Sequence, residues 1–581
     1  MQSIKGLTGT RGQACGIIVT IQNAIQELKC IHISESEIAA EEKKLNDARK
    51  SYQAELSQLY EKTRQEIGEN EAAIFRAYLE MVNDDVFFDN PLKRMKEELI
   101  NIEYTLNEEK NQTMQMFLGL DDLYMKERGS DIENVCNALI DKMLGSTSPI
   151  DKLSHMDQPF IIIAEDLAPA DTVRLDKTWL RGFITEKGGQ TSHTVILAKT
   201  LGIPAIVGAK GALSHADSGK SVWMNGETGE VVFEPDQSII RKYKENMEAE
   251  KNRKALLREV EKEKAFTLNG QYIKICVNAG QKDDINSIDI SAYDGIGLFR
   301  TEFLYMAESD YPTEETQFQI YKNLAKKTGV KETIIRTLDI GGDKSIDYMQ
   351  LPEESNPFLG YRAIRICLDR KDIFKTQLRA ILRASVYGHL SIMFPMIVNL
   401  TELRQARHLT EVCMQELARE NIPYDGSIRI GIMIETPAAV LISDILAREA
   451  DFFSIGTNDL IQYITASDRM NEKTQYLYSV CCPSVLRAIR KVVQDAHAAG
   501  IQVGICGEAA SDERMVPIWV SLGIDELSMV SSQTAAIKYI IRNLTGKKAD
   551  AIKERVFQMD TVQEIEMYLD ECIKEYQENL C

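Results

Sequence analysis

A single histidine, His193, stands in the run Gly188-Gly189-Gln190-Thr191-Ser192-His193-Thr194, ahead of the apolar stretch Val195-Ile196-Leu197-Ala198-Lys199-Thr200-Leu201-Gly202. Two glycines let the backbone come close to an anion. The apolar spacing predicts a helix that Gly202 and then Pro204 stop, so His193 falls in its first turn. An imidazole at the positive end of a helix is placed to carry a phosphoryl group. The same run reads equally as a histidine in a Gly-rich turn with no chemistry.

A second set of reactive residues lies far downstream. Eight short apolar runs, YIKICV, DGIGLFR, TIIRTLD, SIMFPM, IRIGIMIE, FFSIGTND, QVGICGE and GIDELSM, carry a polar or reactive residue near most of their C-terminal ends: Asn278, Arg300, Arg336, Glu435, Asn458 with Asp459, Cys506 and Ser528. Arg300, Arg336 and Arg469, with Arg362 as a fourth, supply planar forks for a phosphate and a carboxylate. Each alone reads more readily as a surface ion pair; converging on one rim they read as a site for a small phosphorylated acid. Glu435 and Asp459 offer the two carboxylates by which Mg²⁺ is commonly held, and Asn458 can hydrogen-bond an anionic oxygen. Cys506 ends an apolar run as a buried structural thiol would. With an ordinary pKa of about 8.5 it is also a proton donor at neutral pH, able to protonate the carbon of an enolate such as the one phosphoenolpyruvate releases.

These residues need elements to hold them. The span from Tyr272 to Met529, about 258 residues, has the size of a (β/α)₈ barrel, and near-continuous apolar strands fit a parallel sheet covered on both faces. Barrel active sites are built at the C-terminal ends of the strands. Residues 160–235 alternate short strands and helices and predict a compact α/β unit, to which residues 4–20, read as a turn and a strand, should return. Between them, apolar residues recur at helical spacing in four groups: Leu45 to Leu59, Ile74 to Val82, Leu92 to Leu106 and Ile132 to Leu139, with Gly145 as a stop. This helical region would be an insertion whose stripes form its own core or a partner-docking groove. Residues 237–264, charged and Gly-free, predict a solvated helix between domains.

With 581 residues, the chain is expected to hold three or four domains. Its 44% hydrophobic and 27% charged content is that of an ordinary globular protein. Eleven scattered cysteines form neither a disulfide framework nor a zinc site, and a net charge of -20 disfavours nucleic acid and anionic membrane as partners. No signal-peptide pattern opens the sequence and no apolar run reaches a membrane span, so a cytoplasmic location is expected.

Long motifs in one order carry a resemblance: GGQTSHTVILAK (188–199), GIGLFRTEFLYM (295–306), RTLDIGGDK (336–344), NPFLGYRAIRI (356–366), GIMIETPAA (431–439), DFFSIGTNDLIQYITASDR (451–469), GICGE (504–508) and DELSM (525–529). Over nearly its whole length the chain resembles enzyme I of the bacterial phosphoenolpyruvate:sugar phosphotransferase system. The resemblance implies a multidomain α/β protein: a swivelling phosphohistidine domain (1–35 and 146–236), an inserted α-helical carrier-binding domain (36–145), a helical linker (237–264), and a C-terminal (β/α)₈ TIM barrel (265–581) that binds phosphoenolpyruvate and forms a homodimer. It implies that His193 is phosphorylated and that Thr172 orients its imidazole. Arg300, Arg336, Arg469, Asn458 and Asp459, with Arg362, would bind substrate, Glu435 and Asp459 would hold Mg²⁺, and Cys506 would protonate the enolate. The acceptor implied is the phosphocarrier protein HPr. Departures from the family pattern stand at Gln190, Lys199, residues 8–11, Tyr78, Cys481-Cys482, Ala509 and Ser511. A dikinase-like phosphoenolpyruvate enzyme would need an ATP-binding domain upstream of His193, for which there is no room. A non-catalytic, carrier-binding relative would have no use for the full reactive set.

Overall fold

The computed structural model describes all residues except 1, 22–27, 67–68, 119–122, 146–155, 168–177, 190–192, 281–287, 343, 345, 472 and 581. The chain divides into two compact units, Met1–Glu248 and Ala249–Cys581.

The first unit contains an eight-stranded sheet. In chain order its strands are β1 (Gln2–Lys5), β2 (Leu7–Thr10), β3 (Gln13–Ile21), β4 (Phe160–Ala164), β5 (Leu180–Thr185), β6 (Ala205–Val207), β7 (Ser221–Asn225) and β8 (Glu230–Phe233), arranged as β1-β8-β7-β3-β4-β5-β6-β2. Strands β3 to β6 run parallel; β1, β2 and β7 pair antiparallel with their neighbours. In β4 (FIIIA), Phe160, Ile162 and Ala164 pack into one apolar layer and Ile161 and Ile163 into the other, so the sheet is covered on both faces. Residues 4–20 do return to this sheet, but as three strands instead of one. The two short pieces flanking Gly6 close opposite edges, and a four-residue edge strand is too short to leave a hydrophobic period.

Between β3 and β4 the described residues form five α-helices, α1 (Ile38–Glu66), α2 (Glu69–Asn83), α3 (Val86–Glu98), α4 (Ile102–Leu118) and α5 (Leu123–Leu144), around a core that includes Tyr52, Leu56, Phe75, Tyr78, Phe88 and Leu139. The expected single helix through Leu92 and Leu106 is two. Leu99 takes φ 49° and ψ 55°, and its carbonyl accepts the Ile33 N–H at 2.9 Å, while Asn101 exchanges hydrogen bonds with Ile31. The segment Ile31–Ile33 that enters the helical region breaks the helix there by pairing with it at His32 and Ile100, a tertiary cause that no Gly or Pro announces.

After α6 (His193–Leu201) and α7 (Ala212–His215) comes α8 (Gln237–Val260), none of whose residues is buried. In the second unit, β9 (Lys274–Ala279), β10 (Gly295–Phe299), β11 (Glu332–Arg336), β12 (Leu390–Phe394), β13 (Arg429–Ile434), β14 (Phe452–Gly456), β15 (Gln502–Cys506) and β16 (Glu526–Met529) close a barrel in sequence order, every pair parallel. Side chains alternate along each strand. Outward residues such as Ile275, Ile335, Ile392, Ile432, Ile455 and Ile505 join the large core beneath the helices, whereas Leu298, Ile334, Met393, Met433, Phe452 and Cys506 form a separate cluster inside. All C-terminal strand ends therefore face one rim.

Candidate active site

At that rim, a chain of alternating charges replaces the apolar filling. Arg336, the last residue of β11, pairs through Nη2 with Glu302 and through Nη1 with Asp339 at 3.0 Å. Asp339 accepts Arg362 Nη2 at 2.9 Å, and Arg362 Nη1 reaches Asp459 Oδ1 and the Tyr463 hydroxyl, both at 3.2 Å. Lys344 Nζ adds a bond to Glu302 Oε1 at 2.6 Å. Glu302, Arg336, Asp339 and Arg362 are all buried. Opposite charges on either side hold the carboxyls of Glu302 and Asp339 below their ordinary range despite the burial that opposes it. The guanidiniums of Arg336 and Arg362 are likewise held firmly charged by neighbouring carboxylates, against the desolvation that burial imposes.

Glu435 follows β13 and is 1% exposed. Its Oε1 accepts the Met396 N–H at 2.6 Å, while its Oε2 is buried without a hydrogen-bond partner. Burial, then the negative charge of Asp459 and Asp339, pushes its carboxyl up to about 8, with Arg336 and Arg362 opposing. The space beside it depends on Gly456, where a Cβ would stand 2.8 Å from Glu435 Oε2 and 2.9 Å from Met433 Sδ. Arg336 Nε and Arg362 Nε are also buried and unpartnered. Native proteins rarely leave such groups unsatisfied, and a water, an ion or a ligand commonly meets them.

Cys506 ends β15 beside Gly456 and is 2% exposed. Its sulfur accepts the Ser454 hydroxyl at 3.2 Å, and burial pushes the thiol up to about 11, so it stays protonated at neutral pH. Asn458 and Asp459 lie in the first turn of the helix Thr457–Thr465, and Asn458 Oδ1 accepts the Glu508 N–H at 3.3 Å. Arg300 is exposed just beyond β10, and among the described residues it makes no ion pair. Arg469 is half-buried past the same helix's end, its N–H on Gln462 Oε1 at 3.2 Å. Asn278 and Ser528 hydrogen-bond each other across β9 and β16.

The rim thus brings together Arg336, Arg362, Glu435, Asp459 and Cys506, with Arg300, Arg469 and Asn458 on strand ends or helix turns around them. Sequence reading missed Glu302, Asp339 and Lys344, which orient the guanidiniums; they stand inside the FRTEFLYM and RTLDIGGDK runs, where a charged residue two to eight places from an arginine was the available signal. It also missed backbone strain. Among the described residues, Ala363, Met396 and Ala466 have positive φ, of 54°, 59° and 52°; they lie next to Arg362, on the Glu435 hydrogen bond and three residues before Arg469. Non-glycine residues are held so only where their surroundings enforce it, commonly at functional sites. No group of three or more His, Cys, Asp or Glu at metal-ligand spacing occurs among the described residues. A cation on Glu435 and Asp459 would draw its other ligands from water or substrate.

His193 opens α6, as the sequence predicts for a first-turn residue; its side chain, Gln190 and Thr172 lie outside the described residues. The helix is seated by Gly9 of β2, where a Cβ would stand 2.7 Å from Val195 Cγ2, and Gly188 ahead of it takes φ 94°. Of the unusual residues, Lys199 is exposed. Tyr78 is buried, donating to Asp131 Oδ1 at 3.1 Å and accepting from Asn134 at 3.2 Å. Cys481 is buried against Met515, and the Ala509 carbonyl accepts the Trp519 indole N–H at 3.0 Å.

Comparison with known proteins finds three family profiles along the chain: the N-terminal region of phosphoenolpyruvate-utilising enzymes at 5–128, their mobile domain at 156–229 and their phosphoenolpyruvate-binding domain at 254–545. The chain is 38% identical over 574 residues to the phosphoenolpyruvate-protein phosphotransferase of Bacillus subtilis (strain 168), covering 99% of this chain and 100% of that one. It is 42% identical over 531 residues to the enzyme of the same name from Geobacillus stearothermophilus, covering 91% of each. A solution structure of an enzyme I protein matches 43% of this chain and 99% of its own at 32% identity and a TM-score of 0.37.

Proposed function

The chain belongs to the phosphoenolpyruvate-protein phosphotransferases, a family of phosphoenolpyruvate-utilising enzymes, and we propose that it carries the phosphoryl group of phosphoenolpyruvate on His193 and passes it to an HPr-like carrier. The observation that carries this reading is the rim of buried, alternating charge with unpartnered N–H groups on Arg336 and Arg362 and an unpartnered oxygen on Glu435. A small phosphorylated carboxylate meets the first two needs. A divalent cation meets the third.

The residues divide the work. Arg300, Arg336 and Arg469, with Arg362 and Asn458, bind the phosphate and carboxylate and neutralise charge that builds on the enolate oxygen as the P–O bond breaks. Because Arg336 and Arg362 are clamped by Glu302, Asp339 and Asp459, little reorganisation accompanies substrate arrival. His193 attacks as the neutral imidazole, oriented by Thr172, and a P–N bond replaces the P–O bond. The enolate then takes the Cys506 proton at C3, giving pyruvate and a thiolate. Glu435 and Asp459 fit Mg²⁺, which when bound would neutralise substrate oxygens; the unpartnered Glu435 Oε2 and the mutual repulsion of the two carboxylates support that fit.

The same reading takes the domain limits as 1–35 with 146–236, 36–145, 237–264 and 265–581, the helical insert as the carrier's docking site, and the barrel as the homodimer contact. It places the protein in the cytoplasm; no described helix is long and apolar enough to cross a membrane.

Purified protein given phosphate-labelled phosphoenolpyruvate and Mg²⁺ should gain an acid-labile, base-stable label. In His193→Ala the label should be absent. Equal labelling of that variant would mean another residue is the acceptor.

A further inference from the structure

The protonation of the enolate leaves Cys506 as a thiolate that is 2% exposed and surrounded on the inside of the barrel by Leu298, Ile334, Met393, Met433 and Phe452. The next turnover needs that proton back. Among the described residues the thiol donates to the Ile455 carbonyl at 3.6 Å and accepts from the Ser454 hydroxyl at 3.2 Å, and of these two only the hydroxyl has a proton to give.

Beneath Ser454 the barrel is hollow for a reason that can be read from the strand register. Ser454 of β14 stands opposite Gly504 of β15, and Gly504 opposite Glu526 of β16. The three lie on one level and, being two residues below Gly456, Cys506 and Ser528, point inward with them. Since the middle position carries no side chain, a gap of two strand spacings, roughly 9–10 Å between backbones, separates the serine hydroxyl from the glutamate. A cavity of about 20 Å³ lies there, with Ser454, Glu526, Lys274, Glu332, Arg429 and Gln502 among its polar lining and Ile334, Phe452 and Val503 among its apolar lining. That is room for about one water with several polar partners. On the opposite side Gly297 makes room for the Glu526 carboxyl itself: a methyl group there would collide with Glu526 Oε1 and stand 2.5 Å from Ser528 Oγ, and Cys276 of β9 adjoins the same carboxyl. Glu526 is half-buried and Gln502 exposed, so the cavity's lower end meets solvent at the N-terminal face of the barrel, away from the substrate rim.

We propose that Glu526, a water in this cavity and Ser454 form a relay that returns a proton to Cys506 from the face of the barrel opposite the substrate. This rests on Cys506 being the enolate's proton donor. The transfer balances as follows: Ser454 gives its hydroxyl proton to the Cys506 thiolate, the serine oxygen takes one from the water, the water takes one from the Glu526 carboxylic acid, and the Glu526 carboxylate recovers one from solvent. One proton passes from solvent to C3 of pyruvate per turnover, and no other bond changes.

The groups facing Glu526 suit a relay. Burial and then the charge of Glu332 (β11) push its carboxyl up to about 7, against Lys274 and Cys276 (β9) and Arg429 (β13). The acid is thus populated near neutrality and exchanges readily. Lys274 and Arg429 are themselves tied to Glu332, at 3.7 and 2.9 Å, so neither pairs with Glu526 outright.

The relay separates first from later turnovers, because the first uses the proton already on Cys506. Full-length Glu526→Gln and Ser454→Ala should form pyruvate from phosphoenolpyruvate in a rapid-quench single turnover within about twofold of the unaltered protein, whereas steady-state turnover with excess HPr should fall by at least about tenfold. In the unaltered protein, steady-state turnover should decline as pH rises through about 7, where Glu526 loses its proton. Glu526→Gln should lack that limb, and Glu526→Asp should restore part of the rate. Unchanged steady-state turnover in Glu526→Gln overturns the relay, as does an equal loss in both phases, which marks a structural residue. The underlying reading fails separately: if Cys506→Ala turns over normally, Cys506 is not the donor.

Discussion

At the residue scale, Asp339 decides how rigid the rim arginines Arg336 and Arg362 are. It is 2% exposed and bridges Arg336 Nη1 and Arg362 Nη2, so one carboxylate fixes two guanidiniums. Replacing it by asparagine leaves Arg336 to Glu302 and Arg362 to Asp459, with the bridge between the two cations gone. Breaking a buried pair of this kind costs about 3–5 kcal/mol. Asp339→Asn should therefore lower the thermal midpoint of the barrel unit and raise KM for phosphoenolpyruvate together. The pH dependence follows from the direction of its shift: because the folded carboxyl sits below its unfolded value, the stability it lends is complete above the unfolded pKa of about 4 and is lost only as pH falls through the folded one. The gap between variant and parent should thus be constant from about pH 5 to 8 and narrow in strong acid; a gap that closes near neutrality would assign the stabilisation to another group. This network also marks what the sequence could not disclose. Arg336, Glu435 and Cys506 were legible because each closes an apolar strand run. Glu302 and Asp339 were not, since an acid near an arginine is ordinary until the fold buries both.

At the element scale, strand β14 supplies the clearest case of a backbone atom acting through absence. Gly456 closes the strand against Cys506 and leaves the space that Glu435 Oε2 occupies. In Gly456→Ala the added carbon, at 2.8 Å from that oxygen, must push the carboxylate or Met433 aside. Overpacking of this size costs about 1–3 kcal/mol, which a barrel with so large a core should survive. A displacement of about 1 Å at the reacting groups costs on the order of 10²-fold in rate. The expected result is a folded protein whose phosphoenolpyruvate-dependent labelling of His193 needs far more Mg²⁺ and proceeds at least about 10²-fold slower. Labelling at the parent's rate and Mg²⁺ dependence would show that the carboxylate need not stand there. All eight barrel strands were readable as apolar runs between turn residues, because a strand buried on both faces has only that pattern to show. Leu99 was not: its left-handed backbone is imposed by pairing with residues some seventy positions upstream, and local residue types carry no trace of it.

At the scale of the whole molecule, the chain forms two compact units, Met1–Glu248 and Ala249–Cys581, and the boundary falls within one helix. The helix α8 has no buried residue, yet each end is committed: Tyr243 lies beside Cys15 in the first unit, and Arg253 pairs with Glu513 at 3.1 Å in the second. The division between units falls between them, at Glu248 and Ala249. In the proposed reading, the first unit carries His193 and the helical insert, and the second carries the arginines, Cys506 and the carboxylate pair. Covalent linkage then sets the concentration at which histidine meets donor, typically in the millimolar range for a short connection. A specific protease site introduced after Glu248 should leave both fragments folded, since no buried contact of α8 is cut. At about 1 µM of each fragment, labelling of His193 from phosphoenolpyruvate should drop by roughly 10²- to 10³-fold, in proportion to the lost effective concentration, and recover as the fragments are raised toward millimolar. Transfer between His193 and the carrier, confined to the first fragment, should be unchanged by the cut. If cleavage leaves the labelling rate at 1 µM untouched, the fragments bind each other tightly and the helix is not what brings the histidine to its donor.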